Sequence, residues 1–187
     1  MNLTHHFLIA LPTMPDPYFK KRVIYLCEHN QEGAMGLMVN DPLDVTIHMM
    51  LKQTKTSSVA PLNDEKSLAQ PVYNGGPVSE DRGFILHTPK GEYESSLTMA
   101  EDLALTTSKD ILGVLGTTEA PAHSLVALGY ANWAPGQLEK ELADNSWLLT
   151  PATTDIIFST PIQQRWEKAI ALLGITPEQI SPEMGNA

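Results

Sequence analysis

Three short segments near the N-terminus are apolar on both faces. They are Phe7–Leu11, Val23–Cys27 and Ala34–Val39. Runs of this length, bounded by turn residues, predict buried β-strands. A strand with one face in water would alternate apolar with polar residues, and these do not. The chain therefore must fold into a sheet that is either covered on both sides or curled on itself.

The turn at Asn30–Gly33 predicts a hairpin between the second and third of these strands. Further along the chain, apolar segments alternate with turns rich in Gly and Pro, and their close spacing predicts a meander. A last strand is predicted just before the C-terminal helix. These later strands are expected at Pro71–Tyr73, Phe84–His87, Tyr93–Met99 and Asp155–Phe158.

The densest local signals lie in the segment that begins with the apolar run Ser124–Tyr130. This run predicts a buried strand, and the turn residues Asn132–Gly136 end it. Pro135 suits the first position of a following helix, because its missing N–H is not needed there. Asn145 can close that helix in the left-handed conformation before a strand at Trp147–Leu149. The segment predicts a strand, a helix and a strand in succession.

Three other helices are predicted from apolar residues at helical spacing. The first has Asp44 or Thr46 as its N-cap, the second has Ser108, and the third follows Thr160-Pro161 and has the clearest apolar face. Their expected spans are Asp44–Gln53, Lys109–Leu115 and Ile162–Leu173.

The length of 187 residues fits one domain spanning 1–187, and 42% hydrophobic residues are enough for a core. Residues 54–70 are polar and aperiodic, so we expect a flexible surface loop. They are not expected to be a domain boundary, because the strands before them need cover from the C-terminal half. The end, 175–187, is expected to fray.

The formal charge of −10 makes phosphate backbones and anionic lipid unfavourable partners. The predicted helix after Pro135 is acidic where a DNA-reading helix would need lysine or arginine. Direct nucleic-acid binding is therefore not expected. No apolar stretch approaches the ~20 residues of a membrane span, no secretory signal is recognised, and the single cysteine fits a reducing compartment. We expect a cytoplasmic protein.

Eight motifs follow one another along the chain, namely His6–Pro12, Asp16–Phe19, Val23–Asn30, Gly33–Gly36, Gly75–Pro77, Asp81–His87, Gly129–Trp133 and Gly136–Glu139. Taken in this order, they resemble the bacterial YqgE/AlgH family. The resemblance implies an α+β fold, with a mixed, largely antiparallel, bifurcated sheet that curls into a small barrel surrounded by helices. It implies little chemistry, since members are commonly labelled uncharacterised or transcriptional regulators, and no catalytic residues carry over. Arg22 departs from the pattern, which has a small Ser there.

Candidate catalytic groups have simpler interpretations. Cys27 and His29 would share one face of a regular strand and could act as thiol and base, but a buried strand cysteine is favoured. Glu139 and Glu141 would not face each other on a helix, so solvated charges near the helix start are favoured over an acid–base pair. The histidines lack close ligand spacing, so neither a metal nor another cofactor is expected. Those weighed as ligands are His5, His6, His29 and His87.

Eight residues at turns are the candidate binding residues. Gly75-Gly76-Pro77 lacks the Lys-Ser/Thr of a phosphate loop, so a tight turn is favoured there. The Trp133 ring either completes the core or anchors a partner, and His87 makes either a loop hydrogen bond or a site. The full set is Asn40, Gly75, Gly76, Pro77, His87, Asn132, Trp133 and Gln137.

The leading functional hypothesis is a non-catalytic binding or regulatory protein that contacts a protein or a small ligand. It rests on many Gly- and Pro-shaped turns without a convergent nucleophile, base or metal set. One alternative is a transcriptional regulator that binds DNA directly or through a partner. Another is an enzyme whose site assembles from loops around Asn40, Gly76, His87 and Trp133.

Overall fold

The computed structural model describes residues 1–180, which form a ten-stranded sheet with helices around it. The strands are β1 His6–Ala10, β2 Val23–Asn30, β3 Gly33–Met38, β4 Pro42–Thr46, β5 Pro71–Asn74, β6 Val78–His87, β7 Ser96–Ala100, β8 Leu103–Thr106, β9 Ser124–Trp133 and β10 Trp147–Pro151. The α-helices are α1 Ile47–Gln53, α2 Glu65–Leu68, α3 Gln137–Ala143 and α4 Arg165–Ala171. Short 3-10 helices span Pro17–Phe19, Lys109–Val114, Ile162–Gln164 and Pro177–Ile180, and a π-helical turn spans Asp155–Ser159.

The sheet branches at β9. Its main path is β10-β1-β2-β3-β9-β6-β8-β7, and β5 joins β9 as a parallel strand and carries β4 on its other side. The remaining pairs are antiparallel, and the sheet curls into a half-barrel. The α+β class and the mixed, largely antiparallel, bifurcated sheet are therefore confirmed.

Both faces of the central strands are buried, as their composition predicts. Phe7 and Ile9 of β1 point into a large core that helix α4 covers. Leu8 and Ala10 point into a second core, which helix α3 covers. A third core lies between α1 and the strands β5, β6 and β9. Helices thus cover the sheet from several sides, and within residues 1–180 none is both long and apolar enough to cross a membrane.

The predicted hairpin of β2 and β3 is confirmed, whereas the predicted meander is wrong. β6 and β7 do not pair with each other, because β8 lies between them. The strand β8 is only four residues long, and sequence analysis did not predict it. β5 leaves the expected order altogether, because it pairs with β9 in parallel.

The predicted strand at Asp155–Phe158 is also wrong. The backbone N–H of Thr160 donates to the carbonyl oxygen of Asp155, which closes a π-helical turn. This turn places both Ile156 and Ile157 in the core, whereas a strand would have sent them to opposite faces. Two adjacent apolar residues do not distinguish these conformations.

The helix boundaries differ in detail from the predicted ones. Helix α3 starts at Gln137 and not at Pro135, because Gly136 takes the N-cap position with a left-handed φ of 78°. Thr46, not Asp44, caps α1. The predicted helix after Ser108 is a 3-10 helix over Lys109–Val114, and the Ser108 side chain does not cap it. The last helix begins with the 3-10 turn Ile162–Gln164 and continues as α4.

Two segments that were predicted to be irregular carry short helices. Helix α2 lies within 54–70 and buries Leu68. Within the predicted tail, the turn Pro177–Ile180 follows Ile175, and both isoleucines of this segment pack against the large core. The rest of the predicted tail, 181–187, lies outside the described residues.

Candidate functional site

A cavity of about 350 Å³ lies where four segments meet. The proline-rich loop before β2 forms one side, and the start of β6 forms another. The end of β9 and helix α3 complete the wall. Four of the eight predicted binding residues line this cavity, namely Pro77, Asn132, Trp133 and Gln137. We refer to it as the Trp133 cavity.

Trp133 belongs to the core as well as to the cavity wall. Its side chain is only 4% exposed and packs edge to face on Trp147, with 6.1 Å between ring centroids. Asn132, the residue before it on β9, is exposed. Neighbouring residues on a strand point to opposite faces, so one presents its amide to solvent while the other supports the core.

The pKa of Glu141, a residue in the wall of the Trp133 cavity, is raised. Burial raises the pKa of its carboxyl above the ordinary value of 4.5, the indoles of Trp133 and Trp147 counteract that shift, and Asp16 adds to it by repulsion. Glu141 Oε2 is fully buried, and its contacts with the neighbouring indole N–H groups do not reach good hydrogen-bond geometry. The indole nitrogen of Trp147 is also fully buried and makes no hydrogen bond of good geometry to a described residue. A buried oxygen without a partner is costly, so the wall of this cavity is incompletely satisfied.

Three carboxylates line the Trp133 cavity, those of Asp16, Glu141 and Asp144. Asp16 also accepts a hydrogen bond from the backbone N–H of Tyr18, which fixes the proline-rich loop. Gln137 accepts one from the backbone N–H of Ala134, at 2.9 Å, and so holds the turn before α3. The cavity is therefore acidic, and its acidic groups stand on a fixed frame.

The Gly75–Pro77 turn is a packing element, as its sequence favours. Gly75 donates its backbone N–H to the carbonyl oxygen of Leu128 and accepts from the backbone N–H of Met38. A Cβ atom at Gly76 would overlap the carbonyl group of Tyr130. These two glycines allow the turn to lie directly against the backbone of β9.

Asn40 supports the start of β2. Its side-chain oxygen accepts from the backbone N–H of Val23 at 3.0 Å, and its nitrogen donates to the carbonyl oxygen of Lys21 at 2.9 Å. Arg22, where the family pattern has Ser, donates to the carbonyl oxygen of Asn40 and pairs with Asp41 at 3.2 Å. The arginine thus adds an ion pair to the same corner of the fold.

His87 lies far from the other candidates. It pairs with Ser124 at one end of β9, whereas Val78, beside the Gly75–Pro77 turn, pairs with Tyr130, about 20 Å away. Its Nδ1–H donates to the Thr88 carbonyl, so Nε2 accepts from the hydroxyl of Thr106 at 2.7 Å. Burial lowers the pKa of His87, which fits a neutral ring that is held by hydrogen bonds.

Cys27 and His29 lie on opposite faces of the sheet. A β-bulge between Leu26 and Glu28 shifts the alternation by one residue, so Cys27 enters the large core and His29 faces the second one. Burial raises the pKa of the Cys27 thiol. The expectation that the two residues share a face is therefore wrong, because it assumed a regular strand.

His29 is held by two contacts. The backbone N–H of Leu3 donates to Nδ1 at 3.0 Å, and Nε2 is hydrogen-bonded to Glu139 at 2.5 Å. This hydrogen bond is the main reason why the pKa of Glu139 is lowered. Glu139 and Glu141 point to different surroundings, as predicted, but Glu141 is partly buried and not solvated.

The other histidines that were weighed as ligands are dispersed. His5 contacts the hydroxyl of Tyr25 at 2.9 Å, and His6 bonds to the carbonyl oxygen of Thr4. Within residues 1–180, no three His, Cys, Asp or Glu side chains converge as ligands for one metal ion. Each of these histidines has a local structural partner.

Fold and cavity define an α+β protein with a curled, branched sheet and a small acidic cavity at one end of β9. A family model described as AlgH-like matches residues 7–178. The chain therefore belongs to the AlgH-like family, which confirms the resemblance seen in its motifs.

Relatives described as UPF0301 proteins match over their whole length. One from Vibrio parahaemolyticus is 62% identical over 187 residues and one from Vibrio cholerae is 58% identical, with 100% of each chain covered. The solution structure of the AlgH protein from Pseudomonas aeruginosa is similar with a TM-score of 0.79 at 43% identity, covering 100% of this chain and 97% of that chain. A Corynebacterium diphtheriae protein, with a TM-score of 0.67 and 20% identity over 89% of this chain and 84% of that one, shares the fold.

Sequence reasoning identified Asn132 and Trp133 as candidates but placed them in a turn, whereas they end strand β9, and it missed the acidic half of the cavity. Glu141 was weighed and judged solvated, and Asp16 entered only as part of a family motif. A usable signal was present in α3, because Glu141 lies three residues after Leu138, on the same side of the helix as that buried leucine. Asp16 comes from a distant loop, and no local pattern indicates that it faces Glu141.

Proposed function

We propose that this chain is a non-catalytic cytoplasmic binding protein of regulatory type. Its Trp133 cavity accepts a positively charged group carried by a partner protein or a small ligand. The single observation that carries the proposal is the partly buried carboxyl group of Glu141 in the cavity wall, beside the carboxylates of Asp16 and Asp144. An ammonium or guanidinium group donates charge-assisted hydrogen bonds to a carboxylate, and it would offset the negative charge of this cavity.

The surroundings of Glu141 favour a cation. Asp16 and Asp144 add negative charge to the same cavity, and the whole chain carries −10. The ring of Trp133 and the prolines of the cavity wall supply apolar surface beside this charge. Charged groups interact more strongly in such a partly dehydrated site than in water, and cations are attracted to indole faces.

Cation binding is linked to the protonation of Glu141. Its raised pKa means that the folded protein holds a proton more readily than an exposed glutamate does. A bound cation favours the ionised carboxylate, so it lowers that pKa and releases the proton. Binding should therefore strengthen as the pH rises from about 4.5 toward neutrality.

The lone cysteine supports the cytoplasmic part of the proposal. Cys27 is buried and is the only cysteine in the chain, so an intramolecular disulfide plays no part in its stability. Proteins of oxidising compartments more often carry paired cysteines.

Phenethylamine tests the cavity directly, with 2-phenylethanol as the neutral probe of matched shape. The indole N–H resonances of Trp133 and Trp147 report on binding in an NMR titration. The amine should shift both resonances in a saturable manner, and the alcohol should do so far more weakly. Because a charge-assisted hydrogen bond contributes about 1.5–3 kcal/mol, Glu141→Gln should weaken amine binding about 10- to 150-fold.

Glu139→Gln is the matched control, since it makes the same charge change two residues earlier on α3, where the side chain faces His29. This variant should bind the amine nearly as the parent does. Equal binding of amine and alcohol, or equal losses in the two variants, would refute the proposal.

A further inference from the structure

Arg165, the first residue of α4, is buried beneath the sheet and is only 5% exposed. Its Nε donates to the carbonyl oxygen of Thr160 at 2.9 Å. Its Nη1 donates to the carbonyl oxygen of Val39 at 2.6 Å and to the hydroxyl of Tyr73 at 3.1 Å. The Tyr73 ring also lies against the guanidinium, 5.3 Å from its centre. These partners fix the side chain, but all of them are neutral.

No carboxylate within residues 1–180 forms an ion pair with this guanidinium. The ion pairs in the described chain are Arg22 with Asp41 and His29 with Glu139. Arginine stays charged in proteins, and a buried charge is ordinarily paired with an opposite one. Burial lowers the pKa of Arg165, as expected for a cation that lacks a counter-ion. The described structure therefore leaves one buried positive charge uncompensated.

One edge of the guanidinium remains available. The hydrogen bonds to residues within 1–180 come from Nε and Nη1, so Nη2 is not engaged by this part of the chain. Arg165 lines a cavity of about 270 Å³, together with the hydroxyl-bearing residues Ser124, Ser159 and Thr160. The Nη2 edge and the hydroxyl groups of Ser124 and Ser159 are donors of the kind that bind an oxyanion, whereas the Thr160 hydroxyl already donates to the Asp155 carbonyl oxygen.

This cavity adjoins a larger one of about 530 Å³, and both are lined by Gln70, Ser124 and Phe158. Lys66 and Lys90 line the larger cavity, with Asp64 as its carboxylate. Positive side chains thus predominate over the two cavities, although the chain as a whole carries −10. Volumes of this size suit a small molecule.

We propose that the two adjoining cavities bind a small anionic molecule. Its carboxylate or phosphate group contacts Arg165, and the remainder lies in the larger cavity near Lys66 and Lys90. This site is separate from the Trp133 cavity and prefers the opposite charge. If no anion binds here, the proposed function still stands, because neither of the adjoining cavities shares a lining residue with the Trp133 cavity.

Inorganic phosphate and succinate are the probes, and sodium chloride at equal ionic strength is the reference. The Nε–H resonance of Arg165 and the backbone amides of Ser159 and Thr160 report on binding. A saturable shift with phosphate alone identifies a phosphate site, and one with succinate alone identifies a carboxylate site. Saturation by both identifies a general oxyanion site. Shifts no larger than those caused by chloride would overturn the proposal.

Variants distinguish a built site from general attraction. Arg165→Lys should weaken binding of the effective probe more than 10-fold, because it loses the guanidinium edge. The surface double variant Lys66→Gln/Lys90→Gln should weaken it about 3- to 10-fold without affecting the fold, so it decides the matter even if Arg165→Lys fails to fold.

The control double variant, Lys52→Gln/Lys140→Gln, makes the same change in net charge at exposed positions outside both cavities. It should bind as the parent does. If the two double variants lose affinity equally, the proposal is overturned.

Discussion

Glu141 shows how position in the fold changes the chemistry of a single residue. In the sequence it is one of several acidic residues on an exposed-looking helix, yet the fold places its carboxyl beside two indoles and opposite Asp16. Burial holds its pKa above 4.5 in the folded chain, whereas the unfolded chain titrates near that value. Between the two pKa values the folded state binds more protons, so the free energy of unfolding falls as the pH rises through this window.

Glu141→Gln should remove this pH-dependent cost. Relative to the parent, the free energy of unfolding of the variant should increase as the pH rises from about 4.5 toward neutrality. Urea unfolding at a series of pH values measures the difference. Glu139→Gln should show the opposite trend, because the pKa of Glu139 is lowered by His29 and its stabilisation is present above its ordinary pKa of 4.5. If the free energy of unfolding depended on pH in the same way in both variants, the opposite pKa shifts of Glu141 and Glu139 would be contradicted.

Single residues could be predicted from the sequence where burial alone decides their state. The buried cysteine at position 27 and the core position of the Trp133 ring agree with the favoured interpretations. Arg165 could not be predicted in the same way. A charge next to the buried Trp166 is visible in the sequence, but the absence of a nearby carboxylate depends on β3, β5 and the turn before α4 coming together.

At the scale of elements, the Gly75–Pro77 turn and strand β9 depend on each other. The turn lies against β9 so closely that a Cβ at Gly76 would meet the Tyr130 carbonyl group. On β9, Gly129 lies opposite Gly76 and has a left-handed φ of 78°. A Cβ at Gly129 would overlap the carbonyl oxygen of Gly76. The contact needs glycine in both elements.

Gly76→Ala should lower the free energy of unfolding by about 1–3 kcal/mol, since backbone on both sides must shift. Gly83→Ala is the matched control on β6, where a Cβ would meet nothing within 4 Å. That change should be neutral or stabilise by about 0.5–1 kcal/mol. Urea unfolding midpoints compare the two, and equal effects would show that the close approach is not what requires glycine.

Elements were predictable where the sequence pattern is local and long. The uniformly apolar strands and the β2–β3 hairpin were predicted correctly. The π-helical turn at Asp155–Ser159 was not, because one backbone hydrogen bond decides it. No sequence pattern predicts the β-bulge at Cys27, which turns the His29 side chain to the face of the sheet opposite to that of Cys27. Such one-residue shifts arise from the pairing of strands and not from the strand itself.

At the scale of the whole molecule, negative charge is spread widely and positive charge is confined. The only basic cluster in the sequence, Lys20-Lys21-Arg22, is partly engaged within the fold. Lys21 lies over the ring of Trp166, 5.6 Å from its centre, and Arg22 pairs with Asp41. The described surface thus offers little cationic area to a nucleic acid.

Duplex DNA should therefore not bind the purified protein. The charge of −10 repels phosphates, and α3 is acidic. Fluorescence anisotropy at low salt should show no change on titration, with a known DNA-binding protein as the positive control. Saturable binding that weakens steeply with added salt would contradict this expectation and favour a direct regulator of transcription.

Strand β1 lies between β2 and β10, although β10 follows it in the chain by roughly 140 residues. During synthesis at about 5–20 residues per second, one edge of β1 must wait about 7–30 s for its partner to leave the ribosome. Until then, the backbone N–H and C=O groups along that edge of β1 have no strand partner, and both faces of the strand are apolar. An unpaired apolar strand of this kind can pair with another chain and aggregate. The nascent chain therefore loses this site of aggregation only when β10 has been synthesised and pairs with β1.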